Sequence, residues 1–159
     1  FLFLNFVTDK MPANFKHIGL IMKVFPEAKI IHIKRNAYAT CWSNYTQLFA
    51  SGQGYSYQLC NIHRYFQIYV DYMKFWGCHF GDHIYTLQYE TLVQNFKDEV
   101  KKLIHFCGLP WEKGCLEPHN NARAVKTASK LQVRQKVYVG SSQRWESYKP
   151  FIGDAFNGL

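Results

Sequence analysis

Arg35 closes an apolar run, and Ser43 follows it by eight residues. A planar cation and a hydroxyl that converge make a seat for a phosphate group. The guanidinium fork offers paired N–H donors and the hydroxyl adds one more. The run before them, Lys29-Ile30-Ile31-His32-Ile33-Lys34, has the isoleucine content of a central strand in a parallel sheet. The residues after Arg35 suit a turn and then a helix. Arg35 would emerge at the carboxyl end of a strand, where open α/β sheets bind ligands. Ser43 would lie about two turns into the helix and can face back to that strand end. The plainer alternative is a surface arginine paired with a carboxylate. The elements around the pair have to decide between the two.

Those elements alternate along the chain. Residues 3–7 and 29–33 read as strands, and 83–88 as another, ended by Tyr89-Glu90. Residues 14–25 read as a helix with Pro12 near its start and Pro26 as its stop. Further helices are expected over 38–49, over the aromatic-rich 59–80, and over 92–107, stopped by Gly108 and Pro110. Ser51-Gly52-Gln53-Gly54 reads as a loop. Past Trp111 the pattern weakens to a loop over 111–128 and a short helix over 141–148. Strand–helix alternation implies βαβ units: an α/β fold with a parallel sheet flanked by helices. No internal repeat or low-complexity linker interrupts it, so residues 1–159 are read as one domain.

Composition narrows the function classes. The 159 residues are 48% hydrophobic and 18% aromatic, well outside the disordered range. The formal net charge is +8 and the isoelectric point is about 9.3. This balance favours anionic partners: nucleotides, nucleic acid, or phosphorylated or sulfated ligands. The basic residues cluster only at 97–102 and 123–136. Scatter favours a site assembled by folding over a nucleic-acid tail, and no strand face interleaves basic and aromatic residues. The five cysteines are odd in number and include no C-x-x-C pair. That disfavours structural zinc and a redox dithiol, and makes buried thiols in a reducing, cytoplasmic compartment the expectation. No run approaches the roughly 18 apolar residues of a membrane span. Residues 1–7 are apolar but lack the basic flank of a signal peptide. The chain opens on Phe1 inside a strand-like run, so the parent protein is expected to extend upstream.

Four blocks, in order, resemble the sulfotransferase superfamily. They are similar above all to its bacterial branch related to tyrosylprotein sulfotransferases. The first is Asp9-Lys10-Met11-Pro12-Ala13-Asn14-Phe15 with Phe25-Pro26-Glu27-Ala28-Lys29-Ile30-Ile31-His32. The second is the stretch from Arg35 to Ser43, similar to the family's 3′-phosphate motif. The third is Tyr89-Glu90-Thr91-Leu92, similar to its Tyr-Glu-x-Leu segment. The fourth joins Ser129-Lys130-Leu131-Gln132-Val133-Arg134 to Ser141-Ser142-Gln143-Arg144-Trp145, similar to its C-terminal cofactor loop.

The resemblance implies a P-loop nucleotide-binding type of sheet with its N-terminal part missing. It also implies transfer of a sulfuryl group from 3′-phosphoadenosine 5′-phosphosulfate (PAPS) to a hydroxyl or amine. On that reading Lys10 is catalytic, neutralising charge on the departing phosphate. Arg35 and Ser43 hold the 3′-phosphate, and Tyr89 contacts the adenosine. Ser129, Arg134 and Arg144 complete the cofactor site, and no metal is implied. Partners would be the nucleotide and an acceptor, whether small molecule, glycan or peptide tyrosine; separately, the apolar Phe1, Leu2, Phe3, Leu4 and Phe6 predict a dimer or larger oligomer. Two departures stand out. Asn36-Ala37-Tyr38-Ala39 replaces the family's Asp-Pro-x-Asp, and Met11-Pro12 replaces the Thr-His that carries a base in cytosolic relatives. No base is therefore assigned; His17 and His32 are nearest and read as structural. No Gly/Ser/Thr-rich phosphosulfate turn is present, so the expectation is a 3′-phosphate half-site without its sulfate half. The competing reading is an inactive nucleotide-binding or assembly module derived from such an enzyme.

Overall fold

The computed structural model describes residues 6–49, 52–121 and 134–159. It is mostly helical around a two-stranded parallel sheet. β1 is Ile30–Lys34 and β2 is Ile84–Gln88, paired in register from Ile30 opposite Ile84 to Lys34 opposite Gln88. Parallel strands need a long crossover, and two helices supply it: α2 (Ala37–Thr46) and α3 (Leu59–Phe80). The α/β expectation holds, with both strands within a residue of where the isoleucine run and the Ile84-Tyr85-Thr86-Leu87 segment put them. Phe6 and Val7 are not in a strand, and the rest of the expected first strand lies outside the described residues.

Helix boundaries differ from the sequence reading where the backbone turns. The expected helix over 14–25 is a 3-10 turn, Pro12–Lys16, followed by α1 (Ile18–Val24). His17, at φ −118° and ψ 9°, separates them. The helix expected over 92–107 starts earlier and splits into α4 (Tyr89–Gln94) and α5 (Phe96–Phe106). Asn95 leaves helical geometry and its carbonyl accepts from the Asp98 and Glu99 amides, opening α5 afresh. Gly108, at φ +68°, stops α5 in the left-handed conformation that a side chain disfavours. The expected loop carries two 3-10 turns, Lys113–Leu116 and Pro118–Asn120. The expected last helix is another 3-10 turn, Arg144–Tyr148, running into α6 (Lys149–Ile152).

The core sits between α2, α3 and the C-terminal turns. Cys41, Ile62, Ile152 and Phe156 are buried together, with Tyr38, Trp42 and Trp145 packed against them. Trp145 stacks on Tyr38 with ring centroids 4.6 Å apart. The C-terminal stretch is thereby fixed to α2, beside the end of β1. Burial pushes the Cys41 thiol up to about 12, so it behaves as a small apolar filler. Cys60 and Cys78 depart from the buried expectation: both lie on the outer side of α3 and are exposed. Among the described residues no helix is long and apolar enough to cross a membrane.

Candidate functional site

Arg35 leaves the end of β1 half-buried and is held on two edges. Its Nε donates to Ser142 Oγ at 3.1 Å, and its Nη2 donates to the Ser141 carbonyl at 2.7 Å. The guanidinium carbon also lies 5.3 Å from the centroid of the Tyr89 ring. Tyr89 is placed by the end of β2, and its hydroxyl shares a 2.8 Å hydrogen bond with Ser141 Oγ. The C-terminal loop therefore closes over the carboxyl ends of both strands. The space left between Tyr89, Glu90 and residues 139–143 is only about 10 Å³.

Glu90 lies behind this arrangement. Its Oε1 accepts from Ser142 Oγ at 2.6 Å and from the Asn36 amide at 3.0 Å. Its Oε2 accepts from Gln88 Nε2 at 2.6 Å. Burial pushes this carboxyl up, but the hydrogen bonds from Ser142, Asn36 and Gln88 outweigh it. They hold the group below the usual carboxylate range. Asn36 in turn caps α2, accepting from the Ala39 amide at 2.9 Å. Asn36, which stands where the resembled motif has Asp, thus still supplies an oxygen cap.

A cleft of about 1650 Å³ opens beside β1. Lys10, Arg35, Ser43 and Tyr89 all line it. Lys10 reaches it from the exposed stretch ahead of the Pro12–Lys16 turn, where Asn14 Nδ2 pins neighbouring Asp9 at 2.6 Å. Ser43 reaches it from the second turn of α2 and is exposed. Four of the residues singled out by type and spacing therefore face one space. The other three do not join them in the same way. Arg144 opens its 3-10 turn exposed, 6.0 Å from the Tyr138 ring, and does not line the cleft. Arg134 directly precedes Gln135, Lys136, Val137 and Tyr138, which do line it. Ser129 lies outside the described residues.

The sequence reading missed Glu90, Ser141, Ser142 and Lys136. The first three sit inside motifs that it quoted, so the available signal was there; their mutual contact was not. Of the two histidines, His17 is exposed and stays out of the cleft. His32 borders the cleft between the sheet and α3. Its Nε2 pairs with the Tyr69 hydroxyl at 2.5 Å and its Nδ1 with Thr86 Oγ1 at 3.2 Å. Burial, then the nearby Lys34 charge, lowers its pKa and favours the neutral ring. No group of three or more His, Cys, Asp or Glu side chains that could hold a metal occurs among the described residues.

The model of the Sulfotransferase family matches residues 3–113. An uncharacterized protein of Aquifex aeolicus (strain VF5) is 38% identical over 149 residues, 92% of this chain and 20% of that protein. The chain spans about a fifth of the length of that relative. With the family match covering most of its length, the chain belongs to the sulfotransferase family.

Proposed function

With sulfotransferase family membership as the premise, we propose that this chain carries the 3′-phosphate and adenosine half-site of a PAPS-dependent sulfotransferase. The acceptor is a hydroxyl or amine. The observation that carries the reading is the shared cleft of Lys10, Arg35, Ser43 and Tyr89 at the carboxyl end of the sheet. The donor set fits the group. Arg35 keeps N–H donors beyond the two committed to Ser141 and Ser142, and a phosphate takes a bidentate pair. Ser43 adds a hydroxyl, and Tyr89 an aromatic surface for a base. Lys136 and Lys16 add positive charge around the cleft and its aromatic wall. The volume exceeds the roughly 300–1,000 Å³ of a single-ligand pocket, partly because the cleft wraps the open edge of β1.

PAPS, when bound, supplies the sulfuryl group. The protein's part is positioning and charge. Arg35 and Ser43 orient the nucleotide through its 3′-phosphate. Lys10 places an ammonium where negative charge develops on the departing phosphate. Arg134, Arg144 and Ser129 belong to the C-terminal segment assigned to the same cofactor. A cytoplasmic location and self-association complete the reading.

Calorimetric titration with adenosine 3′,5′-bisphosphate (PAP) tests it. Binding is expected, and Arg35→Ala should weaken it by roughly ten- to hundredfold, about 1.5–3 kcal/mol. In a form of the protein that transfers sulfate, Lys10→Ala should lower kcat and leave PAP affinity nearly unchanged. No binding of PAP, or binding indifferent to Arg35→Ala, would overturn the phosphate assignment. Binding with no transfer by any form would assign a nucleotide-binding module instead.

A further inference from the structure

We propose that Glu90 is a positioning residue for Arg35, acting through the Ser142 hydroxyl and never touching the nucleotide. The inference rests on the reading of Arg35 as a phosphate ligand and adds a residue to that site. A serine hydroxyl has one proton. An ionised carboxylate can only accept, so at 2.6 Å the Ser142 proton points to Glu90 Oε1. The lone pairs of Ser142 Oγ are then left for the Arg35 Nε–H, 3.1 Å away. The polarity of the relay is fixed by the charge at its far end. The Ser141 carbonyl on Nη2 and the Tyr89 ring under the guanidinium hold the remaining freedoms.

The hydroxyl spacer matters chemically. A carboxylate bound directly to Arg35 would occupy the edge that a phosphate needs and cancel its charge. Among the described residues no Arg35–Glu90 ion pair forms. Glu90 instead grips the inner edge at one remove, leaving outer N–H groups for an anion. The same carboxylate holds the Asn36 amide, at the cap of the helix that carries Ser43, and Gln88 at the end of β2. One side chain thus ties the C-terminal loop, the α2 cap and the end of β2 together behind Arg35. The family match stops at residue 113, and the contacts of Ser141 and Ser142 with Arg35, Tyr89 and Glu90 come from the coordinates.

The experiment uses the full chain with Glu90→Gln, Glu90→Ala and Ser142→Ala, each alone and combined with Arg35→Ala. PAP affinity is read by calorimetry, folding by thermal melts, and the Arg35 Nε–H by its exchange rate in NMR without ligand. Glu90→Ala should weaken PAP by roughly five- to twentyfold, and Glu90→Gln, which keeps the accepting oxygen, by much less. In the Arg35→Ala background Glu90→Ala should cost nothing further. The Arg35 Nε–H should exchange faster in Glu90→Ala and Ser142→Ala. Equal losses in both backgrounds would overturn the proposal, as would unchanged Nε–H exchange in a folded Glu90→Ala variant. If the wild-type chain binds no PAP, the phosphate reading fails and takes the proposal with it. If PAP binds through Arg35 but ignores Glu90, the proposal alone fails.

Discussion

At the residue scale, charge and burial decide what each side chain near the sheet can do. His32 is kept neutral by burial and by Lys34, with both ring nitrogens in hydrogen bonds to Tyr69 and Thr86. Its folded pKa lies below the ordinary value of 6.5. Between those two values the unfolded chain takes the proton and the folded chain does not, so stability rises with pH across that window. The contribution is complete above about pH 6.5 and is lost as pH falls below it. Glu90 acts in the same direction lower down: its depressed carboxyl stabilises the fold above 4.5, and that stabilisation goes as pH falls through the folded value. Urea midpoints should therefore drop between about pH 7.5 and pH 5.5, and His32→Asn should flatten that drop while lowering the midpoint at the upper pH. An equally steep drop in His32→Asn would show that another group carries the dependence. Arg35 could be singled out from sequence alone, because an isoleucine run ending in a cation is a local pattern. The partners of Arg35 were not legible. Glu90 and Ser142 are 52 positions apart, and packing such as Trp145 on Tyr38 and Tyr148 on Trp42 brings that loop to the strand end.

At the element scale, helical spacing and stop residues carried most of the fold. α3 spans Leu59–Phe80, the same bounds that its aromatic spacing suggests. Errors arose where one residue leaves helical geometry without a Pro or Gly to announce it: His17 before α1 and Asn95 before α5. The contact between α1 and α3 depends on a missing side chain. A Cβ at Gly19 would lie 2.8 Å from Trp76 Cη2 and 2.9 Å from Cζ3. The indole cannot simply swing aside, because its Nε1 donates to the Phe15 carbonyl at 2.7 Å. Two effects compete in Gly19→Ala. Helix propensity favours alanine by up to about 1 kcal/mol, and overpacking against a rigid ring costs about 1–3 kcal/mol. The clash should win. Gly19→Ala is expected to lower the urea midpoint, and adding Trp76→Phe should recover part of the loss. A neutral or stabilising Gly19→Ala would mean that α1 slides freely on α3.

At the scale of the whole molecule, the described residues cover the sheet on one face. The β1 sequence has the composition of a strand buried on both faces. One face does meet α3 through His32 and Tyr69. Ile31 and Ile33, which alternate to the other face, stay 43% and 59% exposed. Leu20, Val24 and Phe25 are exposed as well. Isolated apolar side chains on a surface need no explanation, but an isoleucine pair on a strand next to an apolar cleft is a surface that proteins normally cover. A second copy of the chain offers the same apolar strand and an isologous way to cover it. The net charge of +8 opposes that pairing, and salt screens the repulsion while leaving apolar burial intact. Self-association should therefore strengthen with ionic strength, which separates it from an interface held by ion pairs. Light scattering across micromolar concentrations should show a dimer or larger species at about 0.5 M salt, with Ile33→Lys shifted to monomer. A chain that stays monomeric at high concentration, whether salt is low or high, would refute the second copy as the cover.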